Sequence, residues 1–429
     1  MLWIKGGRVI DPVTEEVYEA DLWIENGEIV KITVPSGKAV ESGRGLSADE
    51  VFHAEGMMIA PGLADTHVHF RDPGFTYKED IFTGADAAKK GGYTEIVLMA
   101  NTKPCVDSTE VLEYVLQKGK QTGIHIYSCA NVTKGMEGKE LVDMQLLSKK
   151  GAVGFTDDGI PLLEEVLVRD AMQRAAELHK PISLHEEEPQ YIQNNGIHAG
   201  SVAARMHLGG AKREAEICMI ERDLRLAEET GATVVIQHIS TKEGVLLVRS
   251  AKQRGVRVYA EATPHHFTLT QEAVETFGTL AKMNPPLREE EDRQAIIEGI
   301  QDGTIELIAT DHAPHSKEEK ERPFTEAPSG IIGLETAFSL GIRELVNKGK
   351  LSYPQLIRRM STAPCALYGI EGGRIQQGKS ANLVIFHPTA TWKVKDFVSK
   401  ANNSPFLGEE LPGVIYATIC DGKMVYKRK

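Results

Sequence analysis

The feature that most constrains the fold of this 429-residue chain is a regular alternation of short apolar segments with longer helical stretches. Apolar residues recur at helical spacing in stretches such as 214–229 and 292–301, and this alternation is typical of successive βα units around a parallel sheet. The eight predicted strands cover residues 58–69, 93–100, 124–130, 152–158, 182–186, 233–240, 256–263 and 305–311. Eight such units are what a closed (β/α)8 barrel requires. We therefore predict an α/β fold of the TIM-barrel type.

The two ends of the chain differ from this pattern, because they contain short strands separated by tight-turn signals. Asn26-Gly27 and Asp421-Gly422 each separate two segments of strand character, and both dipeptides favour two-residue hairpin turns. The chain also exceeds the length at which a single hydrophobic core usually stops growing. We predict that residues 1–57 and 370–429 form one small composite β-domain and that 58–369 form the barrel.

Composition and charge exclude several functional classes. Lys and Arg total 49 against 61 Asp and Glu, which gives a net charge of −12, and no long basic run offers a surface for nucleic acid. No apolar stretch approaches the ~18 residues of a membrane span, and the first residues lack the pattern of a signal peptide, so we expect a cytoplasmic protein without membrane contact. Five scattered cysteines without a Cys-x-x-Cys pair indicate reduced thiols, not a disulfide framework or a thiolate zinc site.

Histidines are concentrated where the predicted strands end, which is the catalytic face of such barrels. The eight at these positions are His67, His69, His185, His238, His265, His266, His312 and His315. Alternation along a strand places His67 and His69 on the same side, where two nitrogens can share one metal. Asp311 ends another segment, and nitrogen and carboxylate ligands without thiolate are typical of a hydrolytic zinc site. The alternative is that single histidines are structural and that Asp311-His312 caps a helix.

Several longer segments carry a more specific pattern. They are residues 67–74 (His-Val-His-Phe-Arg-Asp-Pro-Gly), 154–159 (Gly-Phe-Thr-Asp-Asp-Gly), 284–288 (Asn-Pro-Pro-Leu-Arg), 309–315 (Ala-Thr-Asp-His-Ala-Pro-His), 328–333 and 399–405. In their order and spacing, over essentially the whole chain, they resemble the bacterial type I dihydroorotases of the amidohydrolase superfamily. The resemblance implies a zinc-dependent enzyme that interconverts N-carbamoyl-L-aspartate and L-dihydroorotate, the third step of de novo pyrimidine (UMP) biosynthesis.

The resemblance also implies roles for individual residues. The implied metal ligands are His67, His69, Asp158, His185, His238 and Asp311. His67 and His69 would bind one Zn²⁺, His185 and His238 would bind a second, and Asp158 would bridge the two ions. Two alternatives remain open: a single functional ion per chain, and Asp157 in place of Asp158 as the bridge. Asp311 would contact the first metal and act as the catalytic acid/base. The implied substrate contacts are His69, Phe70, Arg71, Asn101, Asn284, His315, Ser329 and Gly330.

Two positions depart from the family pattern. Ala100 stands where the family usually has proline, and Glu186 stands where it usually has cysteine. We expect Ala100 to relax the loop that holds Asn101, and Glu186 to add negative charge near the second metal. Neither change removes a group that the chemistry needs.

Arg71 suits a carboxylate-bearing substrate because its guanidinium is a planar fork that binds a carboxylate through two parallel hydrogen bonds. The structural alternative is an ion pair with nearby Asp72 or Asp80.

Three alternatives to the main interpretation remain open at this point. Allantoinases and hydantoinases or dihydropyrimidinases share the barrel and the His-x-His segment, but they bridge their metals through a carboxylated lysine at the end of the fourth strand. Here Asp158 is at that place, and Lys149 and Lys150 precede the strand. The third alternative is a non-catalytic scaffold for aspartate transcarbamoylase, although all the expected ligands are retained. The expected partners are a small-molecule substrate, further copies of the chain in a homo-oligomer and, as in some family members, aspartate transcarbamoylase.

Overall fold

The computed structural model describes residues 1–34 and 48–429, so part of the predicted N-terminal range 1–57 lies outside the described residues. The strands are β1 (Leu2–Asp11), β2 (Glu16–Glu25), β3 (Glu28–Thr33), β4 (Glu50–His53), β5 (Met58–Pro61), β6 (Leu63–Val68), β7 (Tyr93–Leu98), β8 (His125–Ser128), β9 (Ile182–Leu184), β10 (Val234–Ile236), β11 (Val258–Ala262), β12 (Leu307–Ile308), β13 (Leu383–Lys393), β14 (Glu410–Cys420) and β15 (Lys423–Lys427).

Helices follow most of the strands between β6 and β12, as the alternation predicts. They are α1 (Ile81–Lys90), α2 (Thr109–Gly119), α3 (Met144–Lys149), α4 (Glu165–Glu177), α5 (Ser201–Arg205), α6 (Glu214–Thr230), α7 (Lys242–Gln253), α8 (Pro264–Thr268), α9 (Ala273–Phe277), α10 (Glu290–Asp302), α11 (Lys317–Lys320), α12 (Ala337–Gly341), α13 (Tyr353–Ile357) and α14 (Ala363–Tyr368). The helices predicted at 214–229 and 292–301 are confirmed as α6 and α10. No helix in the described part of the chain is long and apolar enough to cross a membrane.

Strands from both ends of the chain form one mixed sheet in the order β15-β14-β13-β5-β1-β2-β3, with β4 paired to β1. Both predicted hairpins are confirmed, because β2 pairs with β3 and β14 pairs with β15 in antiparallel fashion. The turn residues Asn26, Gly27, Asp421 and Gly422 have φ angles of 52°, 90°, 45° and 71°. These left-handed conformations favour Asn, Asp and Gly, which explains why the two dipeptides identified the turns.

The strand predicted at 58–69 is in fact two strands with different roles. β5 pairs with β1 and β13 in the terminal sheet, whereas β6 pairs with β7 in a parallel sheet. Gly62 lies between them and approaches Thr94 so closely that a Cβ at this position would collide with the threonine side chain. Because both strands are buried, the sequence from Met58 onward has the composition of one buried strand. The composition therefore does not show where β5 ends and β6 begins.

The strands in the middle of the chain are parallel to their neighbours and form the two runs β6-β7-β8 and β9-β10-β11-β12. Parallel bridges join Phe155 to Ala130 and Ile182, and another joins Val68 to His312. The strand predicted at 152–158 is reduced to this pairing of Phe155, because the residues after it leave the strand direction to form a turn. The fold is therefore α/β, and the terminal sheet packs through β14 mainly against α12, α1 and β7.

Candidate metal centre and substrate cavity

Four histidines meet one aspartate where the parallel strands end. His67 lies in β6 and His69 follows it, while His185 and His238 follow β9 and β10. Two sets of ligand atoms each lie within 4.8 Å of one another: the first comprises His67, His69 and Asp158, and the second comprises Asp158, His185 and His238. All five side chains are buried. The structure thus brings together the residues that the sequence resemblance implied as ligands, with Asp158 common to both sets.

Asp158 lies between the two histidine pairs. Its Oδ1 lies 3.4 Å from His67 Nε2, and its Oδ2 lies 3.4 Å from His69 Nε2. On the other side, Oδ1 lies 3.7 Å from His185 Nδ1 and from His238 Nε2. Burial disfavours an ionised carboxylate, but the surrounding imidazoles, His67 first among them, hold the pKa of Asp158 well below its usual value. A charged carboxylate therefore lies between two pairs of nitrogen ligands.

The neighbouring carboxylate, Asp157, has a different and structural environment. Its Oδ1 accepts hydrogen bonds from the backbone N–H of Val132 at 2.9 Å and from Asn131 Nδ2 at 3.2 Å. Thr133 donates to Asp157 through both its backbone and its hydroxyl. Asp157 thus anchors the loop after β8 and lies outside the histidine cluster, which leaves Asp158 as the residue that lies between the histidine pairs.

Hydrogen bonds orient the first histidine pair. His67 Nδ1 donates to Glu261 Oε2 at 3.0 Å, and Thr66 Oγ1 donates to the other oxygen of Glu261 at 2.8 Å. His69 Nδ1 donates to Asn101 Oδ1 at 2.9 Å. Such contacts fix the tautomer and leave Nε2 free for a metal. In agreement, His67 Nε2 is buried without a hydrogen-bond partner in the described chain, so this donor set fits a divalent metal.

Glu261 was not identified from the sequence. A usable signal exists, since Glu261 is a charged residue inside the otherwise mostly apolar strand β11 and is fully buried. A buried carboxylate in a barrel strand requires a partner, and an inward-facing histidine is an obvious candidate.

Asp311 lies next to the first histidine pair. Its Oδ1 is 3.1 Å from His69 Nε2 and 3.7 Å from His67 Nε2. These imidazoles, His69 first, lower the pKa of Asp311 despite its burial, so the carboxylate is ionised. Asp311 and His238 both have positive φ angles, 49° and 30°. Such conformations cost about 1–3 kcal/mol in a non-glycine residue and are concentrated at functional sites.

A cavity of about 310 Å³ opens beside the cluster. Predicted substrate contacts that line it are His69, Arg71, Asn101, Asn284, Ser329 and Gly330. Asn195 and Lys282 also line it and were not predicted. The backbone of Gly330 is already engaged, since its N–H donates to Lys282 O and its carbonyl accepts from Asn403 Nδ2.

Two of the predicted substrate contacts do not line this cavity. The Phe70 ring is buried in the core, where it packs against Gly84 and forms an edge-to-face contact with His312 at 6.2 Å between centroids. His315 lies next to Arg71, and its Nε2 donates to the Ser329 carbonyl at 2.8 Å. Burial lowers the pKa of His315, with further contributions from Arg71 and Lys78, so its imidazole is neutral.

Arg71 has no carboxylate within ion-pair distance among residues 1–34 and 48–429. Its Nε donates to the Pro314 carbonyl at 3.3 Å, and its Nη2 lies 3.5 Å from His315 Nε2. The two carboxylates considered as structural partners are engaged elsewhere: Asp72 pairs with Lys118 at 2.6 Å, and Asp80 pairs with Lys400. The structural interpretation of Arg71 is therefore wrong, and the guanidinium is available to an anion in the cavity.

The expectation that Glu186 adds charge near the second histidine pair is also wrong. Glu186 is buried beside Asp223, and burial together with that carboxylate raises its pKa well above its usual value, so it is neutral. The next residue, Glu187, faces the site instead: its Oε2 accepts from His185 Nε2 at 2.7 Å and from Asn284 Nδ2 at 2.9 Å. Consecutive side chains at the end of β9 point to opposite sides, and packing decides which one enters the site.

Four of the eight strand-end histidines have no place in the cluster: His315, described above, and His265, His266 and His312. His266 Nε2 donates to the Pro285 carbonyl at 3.0 Å, and His312 Nδ1 accepts from the backbone N–H of Gly333 at 3.2 Å. Burial lowers the pKa of His265 to about 4, which keeps it neutral. These residues are structural histidines of the kind that the sequence alone does not separate from ligands.

Comparison with known proteins agrees with the site. Residues 56–244 match the protein family described as Dihydro-orotase-like. The chain is 54% identical over 426 residues to the dihydroorotase of Clostridioides difficile, which covers 99% of this chain and 100% of that protein. It is 48% identical over 432 residues to the dihydroorotase of Clostridium acetobutylicum, with both chains covered completely.

Solved structures with the same fold include hydantoinases. The L-hydantoinase (dihydropyrimidinase) from Arthrobacter aurescens superimposes with a TM-score of 0.87 at 25% identity, over 99% of this chain and 96% of that one. The D-hydantoinase (dihydropyrimidinase) from Thermus sp. superimposes with a TM-score of 0.84 at 23% identity, over 99% and 95% of the two chains, which concerns the fold alone. Because its sequence matches curated dihydroorotases over nearly its full length, the chain belongs to the dihydroorotase family of metal-dependent cyclic amidohydrolases.

Proposed function

We propose that this enzyme catalyses the reversible cyclisation of N-carbamoyl-L-aspartate to L-dihydroorotate and water in de novo pyrimidine biosynthesis. One observation carries the proposal: a single cavity is lined by Asp158 with three of the four clustered histidines, His69, His185 and His238, and also by Arg71, which has no carboxylate partner in the described chain. The first feature suits hydrolysis of a cyclic amide, and the second suits a substrate that carries a carboxylate. Curated relatives named dihydroorotase support the same assignment.

We propose Zn²⁺ as the metal, with two ions per chain and one as the minimal functional state. His67 and His69 would hold one ion, His185 and His238 the other, and Asp158 both. Nitrogen and carboxylate donors without thiolate support this choice. When bound, zinc supplies a water that is activated near neutral pH and a Lewis acid that polarises the scissile carbonyl.

The residues around the metal positions would move the proton and hold the substrate. In ring opening, Asp311 accepts the proton of the attacking water and delivers it to the leaving ring nitrogen, a role that usually contributes ~10²- to 10⁴-fold in rate. Arg71 binds the substrate carboxylate through two parallel hydrogen bonds. Asn101 and Asn284, whose amides already contact Asp158 and Glu187, are placed to orient the ring. His315 would position the Ser329 carbonyl, to which its Nε2 donates.

We also propose that the parallel strands close into a (β/α)8 barrel. Four observations support closure: the strand order β6-β7-β8, the bridges of Phe155 to Ala130 and Ile182, the strand order β9 to β12, and the bridge between Val68 and His312. The segment around Phe155 would be the fourth strand. The terminal sheet supports a composite β-domain made of 1–57 and 370–429. Because β5 belongs to that sheet, the barrel would begin at Gly62 and not at Met58.

The positions of the lysines considered as a bridge, within residues 1–34 and 48–429, distinguish the proposal from a hydantoinase-type activity. Lys149 ends α3, and the side chain of Lys150 is exposed and pairs with Glu113 at 2.7 Å, away from the cavity. Lys282 lines the cavity, but its Nζ donates to the Phe324 and Ala327 carbonyls at 2.6 and 2.7 Å. A homo-oligomer, association with aspartate transcarbamoylase and a cytoplasmic location belong to the proposal through the family resemblance.

The assay that tests the function measures the purified protein against dihydroorotate, allantoin, hydantoin and dihydrouracil in parallel. We expect dihydroorotate to be the preferred substrate, because it alone combines the cyclic amide with a carboxylate that can pair with Arg71. Metal content is measured on the same sample, so that an inactive preparation is not mistaken for a different specificity. Preference for allantoin, hydantoin or dihydrouracil in a metal-loaded sample would contradict the assignment.

The two adjacent aspartates offer a matched test of the bridge. Asp158→Asn should lose bound metal and nearly all activity, because a neutral amide does not balance the charge of two cations. Asp157→Asn should retain its metal, since that side chain contacts only the loop at Asn131 to Thr133; its main effect should be a loss of stability of about 1–3 kcal/mol from unsatisfied backbone donors. Metal analysis and thermal unfolding of both variants check this, and equal metal loss in the two would refute the assignment.

A further inference from the structure

A second cluster of metal-ligating side chains lies at the opposite end of the parallel strands. His125 is the first residue of β8, and Cys420 and Asp421 lie at the turn that joins β14 to β15. His125 Nε2 is 2.9 Å from Asp421 Oδ2 and 4.0 Å from Cys420 Sγ. The histidine–aspartate centre that contains Asp158 lies where the parallel strands end, whereas His125 lies where one begins. The two clusters are therefore separate.

The imidazole of His125 is held in the orientation that a metal ligand needs. Its Nδ1 lies 2.9 and 3.0 Å from the two oxygens of Glu95, which is fully buried. Glu95 also accepts from Asn382 Nδ2 at 3.0 Å, and Asn382 Oδ1 accepts from the backbone N–H of Asp421 at 2.8 Å. One network thus fixes both the histidine and the turn. A histidine whose Nδ1–H donates to a carboxylate, so that Nε2 points to the metal, is typical of zinc sites, and here Nε2 of His125 points to Asp421 and Cys420.

The distances between the three ligand atoms are close to those around one ion. Each pair lies within 4.8 Å. Tetrahedral zinc with bonds of ~2.0–2.3 Å separates its ligand atoms by roughly 3.3–3.8 Å, so small side-chain shifts would bring all three into contact. Cys420 is buried and Asp421 is exposed, which leaves one side of the cluster open to water as a fourth ligand.

We propose that His125, Cys420 and Asp421 form an additional binding site for a thiophilic divalent cation of the zinc class. The ion would join β8 to the β14–β15 hairpin and so fasten the terminal sheet to the parallel strands. Nitrogen, sulfur and carboxylate ligands together suit Zn²⁺, Co²⁺ or Cd²⁺ better than Mg²⁺ or Ca²⁺. No sequence pattern indicates this site, because 295 residues separate His125 from Cys420.

Cobalt substitution tests the site in the full-length, reduced protein. After removal of metals with a chelator, Co²⁺ is added and the near-ultraviolet absorption is recorded. We expect a thiolate-to-cobalt charge-transfer band, since Cys420 supplies a sulfur ligand and the centre around Asp158 contains none. Zn²⁺ should abolish the band by displacing cobalt, and it should raise the thermal unfolding temperature of the wild type more than that of Cys420→Ser.

Matched variants decide the outcome. Cys420→Ser should lose the band, and His125→Gln should need at least tenfold more Co²⁺ to produce it. Cys218→Ser, which removes a partly buried cysteine on α6, should keep it. Hydrolytic activity of Cys420→Ser with both catalytic metal positions loaded shows that the variant is folded. Absence of the band in the wild type, or its survival in Cys420→Ser, would overturn the proposal and leave His125 as an ion-pair partner of Glu95 and Asp421.

Discussion

Removal of the bound divalent metal with a chelator is expected to abolish hydrolysis of dihydroorotate. Four imidazoles and Asp158 converge within two overlapping ligand sets, and no other group in the described part of the cavity offers comparable activation of water. Stripping should also lower the thermal unfolding temperature, because metals bind the folded ligand set far better than the unfolded chain. At a free metal concentration 100 times Kd, each site contributes about 2.7 kcal/mol to the free energy of unfolding.

Reconstitution is the control for this experiment. Added Zn²⁺ should restore activity equally with and without bicarbonate, because Asp158 needs no carbon dioxide to act as a bridge, whereas a carboxylated lysine does. The Cys420→Ser variant serves as a second background, in which any stabilisation by zinc comes from the centre around Asp158 alone. Full activity after verified metal removal would refute a metal-dependent mechanism, and a strict need for bicarbonate would indicate a hydantoinase-type bridge.

Replacement of Arg71 by methionine is expected to cause the largest loss among substitutions that leave the metal ligands intact. The wild type should prefer dihydroorotate over dihydrouracil by as much as ~10⁴-fold, since the analogue without a carboxylate leaves the guanidinium desolvated and unpaired. Arg71→Met keeps the length of the side chain but removes the charge and the fork. Activity on dihydroorotate should therefore fall steeply while metal content stays unchanged, as steady-state kinetics and metal analysis can show.

Two further variants make the Arg71 test specific. Arg71→Lys should recover only part of the activity, because an ammonium group does not offer two parallel hydrogen bonds to a carboxylate. Arg205→Met removes an exposed arginine that pairs with Glu275 at 2.7 Å on the surface, and its activity should equal that of the wild type. If Arg71→Met hydrolysed dihydroorotate with wild-type kcat and KM, the proposed carboxylate contact and the choice of substrate would both lose their main support.

The local sequence pattern was sufficient to predict an element where its structure depends on one residue type or on the spacing of apolar residues along a helix. The dipeptides Asn26-Gly27 and Asp421-Gly422 identified two hairpins, because few residues other than Gly, Asn and Asp adopt the left-handed backbone of such turns. Helices α6 and α10 were predicted because their buried apolar residues recur every three or four positions. The break between β5 and β6 was not predicted, since it depends on the contact between Gly62 and Thr94 in the folded chain.

The sequence by itself determined the α/β class, the strand ends at which ligands gather, and the family. These properties follow from periodicity and from residue types at fixed spacing. Only the tertiary structure decided which of two adjacent carboxylates enters the site. Asp158 lies in the centre, whereas Asp157 holds a loop. Glu187 contacts His185, whereas Glu186 is buried elsewhere. The physical reason is that a side chain at a strand end takes its direction from packing against distant segments, which no local pattern encodes.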